Sequence, residues 1–91
     1  MSYNIIATPV FTGELKRLVK KFHSLKKEYA ALLESLEQYP QQGTPLGNNC
    51  YKIRLSIESK GKGKSGGARI ITNIAIADET VYLLFIYDKS E

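Results

Sequence analysis

The chain has 91 residues, 43% of them apolar and 24% charged, with a net charge of +4, which suits a single domain over residues 1–91 with one modest core. It contains no apolar run long enough to span a bilayer and opens with no signal-peptide pattern, so a cytoplasmic protein with no membrane partner is expected. Cys50 and His23 are the only cysteine and histidine, which excludes an internal disulfide and, without carboxylates or a second chain, a zinc site.

Tyr3 to Ala7 reads as a short strand. Thr8-Pro9 is a helix start, because threonine caps and proline suits the first helical position. Phe11, Leu15, Leu18, Val19 and Phe22 then form one apolar helical stripe, with Lys16, Arg17, Lys20 and Lys21 off it and Gly13 weakening the first turns. Ser24 is the expected cap of a second helix with the stripe Leu25, Tyr29, Leu32, Leu33 and Leu36. Tyr39-Pro40 ends it, since a residue before proline avoids the helical region. The short link at His23-Ser24 predicts an antiparallel hairpin. Gln41 to Asn49, with Gly43, Pro45 and Gly47, reads as a loop.

The period then changes to two. Tyr51, Ile53, Leu55 and Ile57 point one way, and Lys52, Arg54, Ser56 and Glu58 the other. Lys60 to Gly67 is the predicted turn. On the next strand Ile70, Thr72, Ile74 and Ile76 take one face, and Arg69, Ile71, Asn73 and Ala75 the other. Ala77 to Thr80 is a short turn. Val81 to Tyr87 is apolar throughout, as in a strand covered on both faces or central in a sheet, and strict alternation places Tyr82 and Tyr87 on opposite faces. The order predicts an α+β fold: an N-terminal strand and a helical hairpin packed on one face of a mostly antiparallel four-stranded sheet, with the other face open.

The charge is concentrated. Residues 52–69 carry six basic side chains (Lys52, Arg54, Lys60, Lys62, Lys64 and Arg69) against one acid, Glu58, and such an excess attracts polyanions. Alternation puts Lys52, Arg54 and Arg69 together on the open face, as a phosphate site; the polar side of a half-exposed sheet is the competing explanation. Lys60, Lys62, Lys64 and Ser65 lie in a glycine-rich turn, which on its own reads as a solvated lysine-rich loop and, beside the basic strands, as one that gathers polyanion phosphate without specificity. Gly63-Lys64-Ser65 is not a nucleotide-binding P-loop: the first glycine of that motif falls on Glu58, and a strand follows instead of a helix. His23 has no catalytic neighbour in the sequence. Cys50, with no base beside it, is expected to be a half-buried structural thiol. Tyr29, Tyr39 and Tyr51 are expected on or near the core. The carboxylates are scattered, so no metal and no other cofactor is implied.

The helical hairpin, then Cys50-Tyr51-Lys52-Ile53-Arg54-Leu55, then Gly66-Gly67-Ala68-Arg69-Ile70-Ile71 and the apolar strand ending Ile86-Tyr87-Asp88-Lys89, resembles the RelE/ParE superfamily of type II toxins, RelE-like branch, over nearly the whole chain. The resemblance implies a ribosome-dependent endoribonuclease that cuts mRNA, with a cognate antitoxin as partner whose acidic, amphipathic segment covers the basic face. It implies Lys52, Arg54, Arg69 and Lys89 as the catalytic set. Crowding by cations disfavours the protonated form of a lysine, so the resemblance gives Lys52 the part of general base; Arg54 and Arg69 hold the phosphate, and Lys89 helps with charge or the leaving oxygen. The family usually continues past its last strand, sometimes with a catalytic tyrosine or arginine; this sequence stops at Glu91, and neither Tyr82 nor Tyr87 is assigned that role. Two other readings stay open. One is a ParE-like inhibitor of DNA gyrase, a branch that generally lacks the basic set. The other is a degenerate module that binds RNA or protein without cutting.

Overall fold

A computed structural model describes residues 2–61 and 66–90. Strand β1 (Asn4–Ala7) leads into helices α1 (Pro9–Lys21) and α2 (Leu25–Gln38), followed by strands β2 (Thr44–Gly47), β3 (Cys50–Leu55), β4 (Ala68–Ala75) and β5 (Thr80–Asp88). The sheet has five strands in the order β1-β5-β4-β3-β2, with β1 parallel to β5 and every other pair antiparallel. The expected fold class holds. The strand count does not: the segment expected to be a loop supplies β2, which pairs with β3 through Thr44 and Pro45. Proline is tolerated there because β2 is an edge strand, with one side of its backbone unpaired.

Both helices cover one face. Phe11, Leu18, Leu25 and Leu36 from the predicted stripes are fully buried against Ile53, Ile57, Ile70, Ile74, Val81, Leu83 and Ile86. Thr8 holds α1 twice. Its Oγ1 accepts from the Phe11 amide at 3.4 Å and donates to the Leu83 carbonyl at 2.9 Å, tying the helix start to β5. Ser24 stands at the start of α2 but does not cap it; its hydroxyl bonds Glu28 and Ser59 instead. Tyr29 packs its ring 5.8 Å from that of Phe11, whereas Tyr39, expected near the core, is exposed.

Alternation in β3 and β4 runs as the sequence predicts, with two exceptions at the ends. Ile76 leaves the strand in a short 3₁₀ turn and is exposed. Glu58 likewise lies beyond β3, in the 3₁₀ turn Glu58–Lys60, where its amide donates to the Glu28 carboxylate at 2.6 Å. In β5 the alternation breaks. Ile71 faces Phe85 but Thr72 faces Leu83, so Leu84 is an extra residue in the strand. A bulge of this kind reverses which side the following residues take. It places Tyr82, Phe85 and Tyr87 all on the face away from the helices, opposite Asn73, Ile71 and Arg69 respectively. The expected split of Tyr82 and Tyr87 between faces is therefore corrected. The strand is interior to the sheet, as expected, but not covered on both faces: Phe85 is 53% exposed and Tyr87 38%.

Candidate nucleic-acid interface

The open face is built from cross-strand rows. One runs Thr44, Lys52, Ile71, Phe85 from β2 to β5; the next runs Arg54, Arg69, Tyr87. A third, Cys50, Asn73, Tyr82, Ile6, reaches β1, and there Asn73 Nδ2 donates to the Asn48 carbonyl and the Cys50 sulfur at 3.1 and 3.3 Å. Cys50 is half-buried, as expected of a structural thiol.

Lys52, Arg54 and Arg69 share this face. Arg54 and Arg69 stand directly opposite one another in antiparallel register; like charges so placed, with Cβ atoms about 5 Å apart, oppose pairing of the strands. Arg54 is exposed and Lys52 partly so. The two line a cleft of about 360 Å³ with Gln42, Gly43, Thr44 and Ile53. Gly43 makes that wall possible: its φ is +92°, and a Cβ there would strike the Lys52 carbonyl. Arg69 departs from expectation. It is only 5% exposed, with Nη1 donating to the Ala68 carbonyl at 3.1 Å, so its guanidinium lies in the sheet surface and does not project from it.

Of the turn lysines, only Lys60 falls among the described residues. Lys62, Lys64 and Ser65 lie outside the described residues. Lys60, expected to be solvated with them, is turned inward: its side chain is 7% exposed and its ammonium bonds Asp88, itself 2% exposed, and Ser90 Oγ at 2.7 Å. The Lys60 ammonium also lies 5.1 Å from the centre of the Phe22 ring, and Lys21 approaches the second Asp88 oxygen at 3.8 Å. Burial alone would push the Asp88 carboxyl up; the hydrogen bonds from Lys60 and Ser90 outweigh it and hold the carboxyl at about 2. Lys89 follows on the exposed turn, and its amide donates to the Gly67 carbonyl at 2.9 Å. Gly67 is the corner where β3, β4 and the end of β5 meet, and any Cβ there would collide with the Leu55 carbonyl.

Sequence reasoning missed two participants. Phe85 was hidden because a strand apolar at every position has no alternation to read. The Lys60–Asp88 pair was hidden because Lys60, Lys62 and Lys64 look alike in a glycine-rich turn; the one available signal was an acid placed two residues after Ile86, on the core side of the strand.

The chain has the fold of the RelE toxins. It superposes on free E. coli toxin RelE, in a form with two arginines replaced by alanine, with a TM-score of 0.68 at 21% identity over 100% of this chain and 86% of that one. It superposes on the RelBE2 toxin–antitoxin complex of Mycobacterium tuberculosis with a TM-score of 0.67 at 18% identity, over 97% and 99% of the two chains. The intact E. coli RelBE toxin–antitoxin complex gives 0.59 at 21% identity, over 99% of each. No family model matches the sequence. Among the described residues, no helix is long and apolar enough to cross a membrane.

Proposed function

We propose that this protein is the toxin of a type II toxin–antitoxin system and that it cuts mRNA on the ribosome, in the cytoplasm. The observation that carries this reading is the clustering of Lys52, Arg54 and Arg69 on the open face of a RelE fold, with two of them directly opposed in register. Charges are not placed in that way to stabilise a sheet; they suit an anion that lies across it.

In the proposed reaction Lys52 takes the proton of a ribose 2′-hydroxyl. The 2′ oxygen bonds the adjacent phosphorus and the bond to the 5′ oxygen breaks, leaving a 2′,3′-cyclic phosphate. Arg54 and Arg69 bind the phosphate and stabilise the charge gathering on its oxygens. Lys89 supplies the proton to the departing 5′ oxygen. The partner is an antitoxin, as in the complexes that share the fold. An acidic segment folding onto the basic face would block the site.

The test is a translation reaction containing the purified chain, with mRNA ends mapped by primer extension. Cuts are expected within ribosome-occupied codons. Lys52→Ala and Arg54→Ala are each expected to slow cutting by about 10²–10³-fold, the usual loss for one group that stabilises transition-state charge. A parent that never cuts on a programmed ribosome overturns the enzyme claim. Variants that cut as fast as the parent overturn the site.

A further inference from the structure

Lys60, Asp88 and Ser90 form a closed triangle that the proposed reaction does not use. Asp88 Oδ1 accepts from the Lys60 ammonium and from the Ser90 hydroxyl at 3.0 Å, and the Lys60 ammonium also donates to Ser90 Oγ at 2.7 Å. The Ser90 amide donates to the same Asp88 oxygen at 3.1 Å. Two corners of the triangle, Asp88 and Ser90, are the chain neighbours of Lys89. Lys89 is thus held from both sides, and its own amide is tied to the Gly67 carbonyl at 2.9 Å.

The third corner is anchored at a distance. Lys60 ends the 3₁₀ turn Glu58–Lys60. That turn is fastened to the start of α2, where the Glu58 amide donates to the Glu28 carboxylate at 2.6 Å and the Ser59 amide to Ser24 Oγ at 2.9 Å. A line of contacts therefore runs from α2, through the turn and the buried Lys60, to the backbone on either side of Lys89.

Stability does not call for this arrangement. A buried ion pair can be exchanged for apolar side chains of similar volume with little loss. Hydrogen bonds to fixed atoms add direction, which apolar packing lacks. Residues beyond a last strand ordinarily fray, yet here they are fixed next to the row Arg54, Arg69, Tyr87. Lys89 follows that row by two residues, and its side chain is exposed. A group that delivers a proton must come within hydrogen-bond reach of the receiving atom, and an error of about 1 Å can slow a reaction by about 10²-fold.

We infer that Lys60, Asp88 and Ser90 are positioning residues: they fix the backbone at Lys89 so that its ammonium reaches the phosphate held by Arg54 and Arg69. The inference rests on the proposed cutting, with Lys89 as proton donor, and gives that reaction three residues that act without touching RNA.

Two measurements test it. The first is hydrogen exchange of the Lys89 amide, followed by NMR. Lys60→Met with Asp88→Leu removes both charges together, which keeps the fold. In this double variant the Lys89 amide should exchange at least about 10-fold faster than in the parent, the worth of one lost hydrogen bond, while the amides of Ile70 and Ile74 keep their rates. The second is the rate of mRNA cutting on programmed ribosomes. At saturating ribosomes Lys89→Ala should cut about 10²-fold more slowly and the double variant about 10- to 100-fold more slowly, with the half-saturating ribosome concentration of the double variant unchanged. Ser90→Ala removes one exposed hydroxyl and makes the same test should the double variant not fold; it should slow cutting by about 3- to 10-fold. Added to Lys89→Ala, either change should slow cutting no further, because it acts through Lys89. Losses that multiply instead show a general structural effect and overturn the inference. It is also overturned if the Lys89 amide exchanges equally fast in parent and variants, or if Lys89→Ala or the double variant cuts like the parent. A parent that cuts but gives any of these results overturns the inference alone. A parent that never cuts overturns the proposed function, and the inference with it.

Discussion

Asp88 is a buried carboxylate whose charge is retained because Lys60 and Ser90 bind it. Removing one partner leaves the other buried with Ser90 but without its nearest counter-charge, so Asp88→Asn or Lys60→Met alone should cost up to about 3 kcal/mol, while replacing both with apolar residues should cost much less. Urea denaturation of the two single variants and the double variant decides this. The pH dependence has a definite sign. A carboxyl held at about 2 when folded, against about 3.9 when unfolded, contributes stability that is fully present above about pH 4. That stability is lost as pH falls through the folded value. Stability should therefore drop between about pH 4 and pH 2 in the parent and be flatter there in Asp88→Asn. Thr72 is a second residue-scale case. Its hydroxyl is buried and, among the described residues, has no hydrogen-bond partner. Thr72→Val removes an unpaired polar group at nearly constant volume and should raise stability by about 1 kcal/mol, read as a higher melting temperature.

At the scale of elements, the start of α1 is a joint between helix and sheet. Thr8 both caps the helix and bonds the Leu83 carbonyl, so Thr8→Ala should cost about 1–2 kcal/mol by chemical denaturation, the upper part of the range for an ordinary cap. The helices and the alternation of β3 and β4 were legible because each carries a clear period and a clear stop. Edge strand β2 was not, since Pro45 and Gly47 carry the usual signals of a turn and only pairing with β3 makes that segment a strand. The bulge at Leu84 was not legible either. Seven apolar residues in a row carry no phase, so the register is set by packing against α1 and β4 and not by the strand itself. Of the candidate site, the common face of Lys52, Arg54 and Arg69 followed from alternation alone. The low exposure of Arg69 and the inward turn of Lys60 depend on contacts with residues distant in sequence, which no local pattern records.

At the scale of the whole molecule, the charge can be measured as ion release. A single strand that neutralises its phosphates with Lys52, Arg54 and Arg69 would show a plot of log affinity against log salt with a slope of about −2, at about −0.7 per phosphate. Arg54→Ala should make that slope shallower by about 0.7 and weaken binding of all sequences alike. Titrations at four or five salt concentrations read the slope. A slope that does not move in Arg54→Ala would show that this side chain meets no phosphate.

The strand order has a consequence in time. β1 pairs with β5 and not with its sequence neighbours, joining Asn4 to Thr80 and Ala7 to Leu83. During synthesis the first strand thus waits, unpaired, until the last one has been made. Helices α1 and α2 form locally and early, but the sheet they cover gains its interior strands β3, β4 and β5 only later. The cations of β3 and the rings of β5 are therefore brought into one sheet only once β5 has been made. On the proposed function, the basic face is in this way incomplete while the strands that carry it are still being made.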